Sequence, residues 1–188
     1  MIKIKSKSQL AIALTGINLF VNPKVELEQY PTDSEIAAEI LWNMSMRGEI
    51  ENRKILDLGS GTGVLGIGSL LLGAGEVIMI DVDKDALSIA KKNLIAVKKE
   101  FRIKKAVFIE SRIEDLSPDY LKGIDCVVQN PPFGIKKKHA DRSFLEKAMQ
   151  VSENIYSFHM PESKEFIERP MEYQLYNSLK NDRTGTET

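Results

Sequence analysis

An α/β fold with a mostly parallel sheet is predicted by three features of this 188-residue sequence. From residue 54 onward, short apolar runs alternate with segments of helical periodicity, which is typical of parallel strands joined by right-handed helical crossovers. The run Val77–Ile80 is continuously apolar, as expected for a central strand that helices cover on both faces. A glycine-rich turn, Asp57–Gly63, joins the first strand to a helix. We therefore expect a three-layer sandwich.

The N-terminal part of the chain is organised by one proline. Pro31 forces Tyr30 into an extended conformation, so that Thr32 or Asp33 can cap the helix that follows. Apolar side chains recur at helical spacing beyond that cap, at Ile36, Ile40 and Leu41. The preceding residues are expected to form an N-terminal arm with one short helix near Lys7–Ala13.

Each element of the sheet has a local signal. The helix after the glycine turn is apolar nearly all round, as a helix buried against a sheet would be, and the next helix has one apolar face. The predicted elements are strand Lys54–Leu56, helix Thr62–Leu72, strand Val77–Ile80, helix Lys84–Val97, strands Ala106–Ile109 and Ile124–Val128, helix Phe144–Val151 and strand Ile155–His159. Beyond Pro161 the pattern fades. We therefore divide the chain into an N-terminal arm (1–31), a central domain (32–160) and a divergent C-terminal helix and tail (161–188).

The composition is that of a globular chain, with 43% hydrophobic and 28% charged residues and a net charge of −1. This charge argues against nucleic-acid binding over the whole surface, so any RNA contact would depend on local patches. The apolar runs are shorter than the roughly 18 residues of a membrane span, and no signal peptide is predicted. The single cysteine, Cys126, is expected in the core. We expect a cytoplasmic protein without membrane contact or a metal site.

The glycine turn predicts a nucleoside cofactor. Alternating glycines let the backbone approach a ligand closely, and the helix behind them presents free N–H groups. Asp57 can accept a hydrogen bond from a cationic amine, and Asp81, 18 residues after Gly63, can accept from both hydroxyls of a ribose. S-adenosylmethionine fits these features. The spacing of Gly61, Gly63 and Gly66 also fits the dinucleotide fingerprint, so a nicotinamide cofactor stays open at this point.

A second motif follows the fourth strand and favours S-adenosylmethionine. Two prolines after Asn130 fix a rigid, extended exit from the sheet. The side-chain oxygen of Asn130 and the carbonyl of Pro131 can then accept hydrogen bonds from one planar amino group, such as the exocyclic amine of adenine. Phe133 can stack on the ring, a contact worth roughly 1–3 kcal/mol. Catalysis would come from placement and electrostatics.

On these residues the sequence resembles the class I S-adenosylmethionine-dependent methyltransferases, which have a Rossmann-like fold. More closely, it resembles the methyltransferase-like family that makes N6-methyladenosine in small-subunit ribosomal RNA. The matching segments span roughly residues 20–160, and the most specific are Leu27–Thr32 and Asn130–Gly134. Class I enzymes usually end with two further strands, so the C-terminal edge strands are predicted to be missing or divergent here. The resemblance also implies an RNA substrate and, for some members, a small zinc-binding activator protein.

The resemblance assigns roles to individual residues. The residues implied to bind the cofactor are Gln29, Thr32, Asp57, Gly59, Gly61, Thr62, Gly63, Val64, Asp81, Val82, Ser111, Arg112 and Asn130. The residues implied to hold the target base are Asn130, Pro131 and Phe133. A basic run beside them is expected to contact the phosphates of a flipped-out nucleotide, through Lys136, Lys137, Lys138 and Arg142.

Alternatives to an RNA adenine-N6 methyltransferase stay open. The Asn-Pro-Pro motif also tolerates a glutamine side-chain amide or guanine N2 as the acceptor, although the segment Gln29–Thr32 favours adenine. A nicotinamide-dependent oxidoreductase would need a catalytic group in the pocket, and neither of the two histidines, His139 and His159, has an evident partner. A non-catalytic RNA-binding module would bind the cofactor without transferring its methyl group.

Overall fold

Strands and helices alternate along the chain, as the sequence predicted. The computed structural model describes residues 2–132 and 140–159. In chain order the elements are α1 (Lys7–Thr15), α2 (Ser34–Met46), β1 (Lys54–Leu58), α3 (Val64–Leu71), β2 (Glu76–Asp81), α4 (Lys84–Val97), β3 (Lys105–Glu110), β4 (Cys126–Gln129), α5 (Ala140–Met149) and β5 (Ile155–Ser157). Two short 3-10 helices lie at Val25–Leu27 and Pro118–Leu121.

The strands form one parallel sheet in the order β3-β2-β1-β4-β5. The chain winds outward from β1 to β3 and then returns to the other side of β1, which creates a switch point between β1 and β4. Leu58 at the end of β1 lies opposite Gln129 at the end of β4. The next residues, Gly59 and Asn130, therefore leave the sheet side by side at the same edge.

Alternate strand residues face two hydrophobic layers, which confirms the predicted three-layer architecture. Ile55 and Met79 belong to the layer that includes α1, α2 and α3, whereas Leu56 and Ile80 face the layer that includes α5. Cys126 is buried in the first of these layers, as expected. Burial raises the pKa of its thiol to about 12, so the cysteine is a packing residue.

Several predicted boundaries are shifted by a few residues. The helix expected from Thr62 begins at Val64, because Gly61 and Gly63 have φ values of 54° and 90° and prolong the turn. The helix expected from Phe144 begins four residues earlier, with Asp141 in its first turn, where an acidic side chain is favourable. The fourth strand begins later than predicted and extends through its polar last residue, which pairs with β5.

The N-terminal segment shares its core with the sheet. Leu10 and Leu14 of α1 are fully or almost fully buried and pack with α2 and α3. Residues 18–32, which we call the strap, contribute to the wall of the cavity described below. The predicted boundary between residues 31 and 32 falls inside this strap.

The described residues as far as Phe158 belong to one compact unit. The predicted C-terminal helix, tail and edge-strand positions at 161–188 lie outside the described residues. Within the described ranges, no helix is long and apolar enough to cross a membrane.

Candidate active site

A cavity of about 260 Å³ opens at the carboxyl ends of the strands. The strap and the loops after β1, β2, β3 and β4 form its wall, the position at which α/β sheets bind small ligands. The structure brings twelve predicted residues to this one wall: Gln29, Thr32, Asp57, Gly59, Gly61, Thr62, Val64, Asp81, Val82, Ser111, Arg112 and Asn130.

Other predicted residues lie away from the wall or beyond the described ranges. Gly63 is not among the lining residues and directly precedes α3. A Cβ added at Gly63 would lie 3.2 Å from the Cβ of Ala90. Pro131 is buried behind the wall. Arg142 lies in α5, where its Nε donates to the Glu146 carboxylate at 2.6 Å. The predicted contacts of Phe133, Lys136, Lys137 and Lys138 lie outside the described residues.

The glycine turn is packed so tightly that only glycine fits at two positions. Gly59 and Gly61 have φ values of 68° and 54°, in the left-handed region that other residues rarely adopt. A Cβ at Gly59 would lie 2.8 Å from Cε1 of Phe144, and one at Gly61 would lie 2.8 Å from Cζ of Phe20. Two aromatic rings therefore cover the turn, one from α5 and one from the strap.

Asp57 links β1 to α3, the helix that follows it in the chain. Its Oδ2 accepts a hydrogen bond from the backbone N–H of Gly66 at 2.8 Å, which satisfies a free donor in the first turn of α3. Burial raises the pKa of Asp57 to about 7, although this hydrogen bond opposes the shift. Asp57 thus has a structural role at the helix N-terminus that the sequence interpretation did not include.

Asp81 holds the glycine turn at the end of β2. Its Oδ2 accepts from the backbone N–H of Gly61 at 2.7 Å, and its Oδ1 accepts from that of Asp83 at 2.8 Å. Burial raises the pKa of Asp81, and these backbone hydrogen bonds act in the opposite direction. Because a carboxylate oxygen can accept more than one hydrogen bond, Asp81 can also receive ribose hydroxyls from the cavity.

The first anchor of the strap is Asn93, a buried polar residue of α4 that the sequence analysis missed. Its Oδ1 accepts from the backbone N–H of Asn18 at 2.9 Å, and its Nδ2 donates to the backbone oxygens of Asn18 and Thr62 at 3.0 Å each. One amide thus connects the beginning of the strap to the glycine turn.

The second anchor is Asp83, at the start of α4. The Nζ of Lys24 lies 2.6 Å from Asp83 Oδ1 and 3.0 Å from Asp85 Oδ2. Gln29 Nε2 donates to Asp83 Oδ2 at 2.7 Å, and Gln29 Oε1 accepts from the backbone N–H of Lys24. Burial acts to raise the pKa of Asp83, but the hydrogen bonds from Lys24 and Gln29 hold it below its ordinary value. The carboxylate therefore stays charged and retains the strap.

The third anchor joins the strap to the exit of β4. Asn130 Nδ2 donates to Thr32 Oγ1 at 3.0 Å, across 98 residues of sequence. In this orientation the opposite atom, Asn130 Oδ1, is buried and has no hydrogen-bond partner among the described residues. A buried acceptor without a partner is costly. Asn130 Oδ1 therefore marks a place where a ligand can supply the missing donor.

The groups on the cavity wall fit S-adenosylmethionine. The carboxylates of Asp57 and Asp81 suit a ligand that carries positive charge and ribose hydroxyls, and Val82 and Ile113 provide apolar contacts for a nucleobase. The hydroxyl of Ser60 is buried without a partner in the described part of the chain and can bond to a bound ligand. Within the same part, no group of acidic, histidine or cysteine side chains could hold a metal ion.

Sequence reasoning missed the residues that act through distant contacts. Phe20 and Lys24 belong to no motif, and their neighbours in sequence show no periodicity that predicts these contacts. Asn93 lies on the buried face of the predicted helix Lys84–Val97, but a polar residue on that face does not reveal its partners. Phe144 was predicted only as the first residue of a helix, and its position over Gly59 was not predicted. A lone aromatic or lysine in a loop gives no signal that could have identified it.

Comparisons with known proteins agree with this geometry. A model of the family "Methyltransferase small domain" matches residues 33–155. The chain is 34% identical over 164 residues to the rRNA N(6)-adenosine-methyltransferase METTL5 of Danio rerio, a match that covers 86% of this chain and 77% of that protein. It is also 34% identical over 160 residues to the enzyme of the same name from Drosophila melanogaster, covering 83% and 73% of the two chains.

A solved structure is also similar. The crystal structure of a proposed RNA methyltransferase from Pyrococcus horikoshii superimposes with a TM-score of 0.76 and 46% sequence identity. The superposition covers 88% of this chain and 79% of that chain.

Proposed function

This chain belongs to the methyltransferase small domain family, in its METTL5 branch, and from that membership we propose that it methylates the N6 amine of an adenine in ribosomal RNA. The family uses S-adenosylmethionine, which excludes the nicotinamide alternative. Support for the substrate comes from the relatives that are named rRNA N(6)-adenosine-methyltransferases.

The observation that carries the proposal is the buried Oδ1 of Asn130. Asn130 lines the same cavity as the glycine turn, because β1 and β4 are neighbours and end at the same edge. An exocyclic amine has two N–H donors, so Oδ1 can accept one of them and orient the amine. Thr32 holds the amide in the orientation that leaves this acceptor available.

In the proposed reaction the protein positions the cofactor and the target amine relative to each other. S-adenosylmethionine, when bound, supplies an electrophilic methyl group. Gly59 and Gly61 let the backbone approach the cofactor, Asp81 accepts its ribose hydroxyls, and Asn130 aligns the amine. Catalysis then depends on orientation and on fixed dipoles.

The remaining predicted contacts belong to this proposal. Phe133 would stack on the target base, and Pro131 would offer its carbonyl as the second acceptor of the amine. Lys136, Lys137 and Lys138, with Arg142, would contact the phosphates beside the target nucleotide. The enzyme would act in the cytoplasm, where ribosomal RNA is available to it.

We also propose that a small zinc-binding activator protein pairs with the edge of β3. This strand pairs only with β2 among the described strands, and its apolar residues Val107, Phe108 and Ile109 are only half-buried. An open parallel edge with such side chains is suited to strand addition by another protein. The N–H groups of Lys105 and Ser111 donate to Gly75 and Asp81, so the alternate N–H of Ala106 points away from β2, to the open edge. An Ala106→Pro variant, which removes that N–H, should lose the activator in size-exclusion chromatography yet still bind S-adenosylmethionine.

Nucleoside mass spectrometry tests the proposed reaction. Small-subunit rRNA is incubated with the protein and S-adenosylmethionine carrying a deuterated methyl group, then digested to nucleosides. The proposal expects labelled N6-methyladenosine. Labelled N2-methylguanosine, or label on a glutamine side chain of an added protein, would establish one of the alternative acceptors. Cofactor binding without any labelled product would identify a non-catalytic RNA-binding module.

A further inference from the structure

The unpaired charge on the exposed surface of α4 and of the turn that ends it is mostly positive, with Glu100 at the end of the turn as an acidic exception. Lys84, Lys91 and Lys98 are spaced by seven residues and so lie on one side of the helix, with the remaining members, Lys92 and Lys99, beside them. All five are exposed. We call these five residues the lysine face. At about 1.5 Å per residue it extends over roughly 20 Å.

The lysine face differs from a solvated helix surface, which normally mixes charges of opposite sign at i,i+4 spacing. Lys91, Lys92, Lys98 and Lys99 have no acidic residue three or four positions away. Asp81 lies three positions before Lys84, but its carboxylate accepts from the backbone N–H groups of Gly61 and Asp83. None makes an ion pair with a described residue, and the one recorded partner is aromatic, since Lys91 Nζ lies 5.6 Å from the ring centre of Phe108.

Basic side chains elsewhere in the described structure are commonly paired. A guanidinium nitrogen of Arg53 lies 3.6 Å from a carboxylate oxygen of Asp125. The Nζ of Lys122 lies 2.9 Å from Asp119 Oδ1, and the Nζ of Lys105 lies 2.7 Å from Glu76 Oε1. Further ion pairs involve Lys7, Lys24, Arg112 and Arg142. Mutual repulsion along the lysine face costs stability. The face therefore suits an external polyanion.

The lysine face begins beside the cavity. Val82 lines the cavity and is followed within two residues by Lys84, at the start of α4. At the far end, Arg102 lies in the next loop. The backbone bridge between Ile2 and Phe101 brings Lys3 close to that loop. A row of basic side chains thus extends from the cavity rim towards the opposite end of the sheet.

We propose that the lysine face binds the phosphate backbone of the RNA strand that flanks the target nucleotide. This inference rests on the proposed function, because RNA is the polyanion that must reach the cavity. Unpaired lysines that follow a helix suit contacts to phosphates, which set position and affinity without reading sequence. The net charge of −1 means that this attraction is local to the face.

The test compares two double variants that remove the same total charge. Lys92→Gln/Lys99→Gln removes two of the five charges of the lysine face, and Arg53→Gln/Lys122→Gln removes two cations that already face carboxylates. Filter binding to a small-subunit rRNA transcript is measured between about 50 and about 200 mM salt. The lysine-face variant should bind about tenfold more weakly at low salt, and the slope of log K against log salt should become shallower by about 1 to 2.

The control variant should change affinity by less than about twofold, and both variants should keep the wild-type affinity for S-adenosylmethionine. Equal RNA affinity and equal salt slopes for the two variants would overturn the proposal and indicate an acidic protein as the partner of this face. If the wild type forms no N6-methyladenosine, the proposed function fails. A shallower slope in the lysine-face variant alone would still support RNA binding by this surface.

Discussion

The Asn130 amide is held by a residue from the other end of the chain. Thr32 Oγ1 accepts its N–H, and in this arrangement Oδ1 is the buried amide atom without a partner among the described residues. Without that acceptor, rotation of the amide by half a turn would present a donor to the cavity. An incoming amine would then meet a donor where it requires an acceptor.

A Thr32→Val substitution tests this arrangement because it keeps the side-chain shape and removes the hydroxyl. We expect kcat to fall about tenfold, which corresponds to one lost hydrogen bond. Thr32→Ser, which restores the hydroxyl, should recover most of the activity. A loss of similar size in both variants would show that packing at this position matters and the hydrogen bond does not. Steady-state kinetics with rRNA make the comparison.

Asp57 predicts a pH dependence of stability. Its folded-state pKa of about 7 lies above the ordinary value of about 3.9, so the folded state prefers the protonated form. Its contribution to stability is fully present below about pH 4 and is lost as the pH rises towards 7. Over that window, the free energy of unfolding should fall by up to about 1.4 kcal/mol per pH unit from this group.

Asp57→Asn is the matched comparison, because asparagine does not titrate and still offers an oxygen to the N–H of Gly66. Urea denaturation of the cofactor-free protein at several pH values should show a smaller decline in stability for the variant than for the wild type. Parallel declines would assign the pH dependence to other groups.

Among the elements, those of the sheet were predictable and the strap was not. The helix α4 was predicted with its observed bounds, and each strand was found within a few residues, because local periodicity reports how each segment meets its neighbours. The strap has no such periodicity. Its anchors join Asn18 to Asn93 and Thr32 to Asn130, across 75 and 98 residues. Asn18 and Thr32 lie outside the periodic segments, so no local pattern predicts these contacts.

The strap also makes a prediction of its own. Lys24→Met removes the ion pairs to Asp83 and Asp85 while keeping a long side chain. Because Lys24 is partly exposed, we expect a loss of about 1 kcal/mol or less in the binding of S-adenosylmethionine, about fivefold at most in Kd. Lys122→Met removes an exposed pair far from the cavity and serves as the control. Calorimetric titration at low and high salt should show that the difference from the wild type shrinks as salt rises.

At the scale of the whole molecule, the winding of the sheet explains why two motifs 70 residues apart form one site. The chain returns past β1 to form β4, so Gly59 and Asn130 leave adjacent strands at the same edge. Their order along parallel strands made this juxtaposition predictable. The aromatic residues that cover the glycine turn, Phe20 in the strap and Phe144 in α5, could not be predicted, because no local pattern at either residue indicates contact with the turn.

The most direct test of the account separates cofactor binding from methyl transfer in the Asn130→Ala variant. Its affinity for S-adenosylmethionine is measured by calorimetry, and labelled N6-methyladenosine in rRNA is measured by mass spectrometry on the same preparation. We predict near wild-type affinity and no detectable product, because the Asn130 oxygen aligns the amine and contributes little to holding the cofactor. Wild-type product formation by this variant, or a parallel loss of affinity and transfer, would contradict the account.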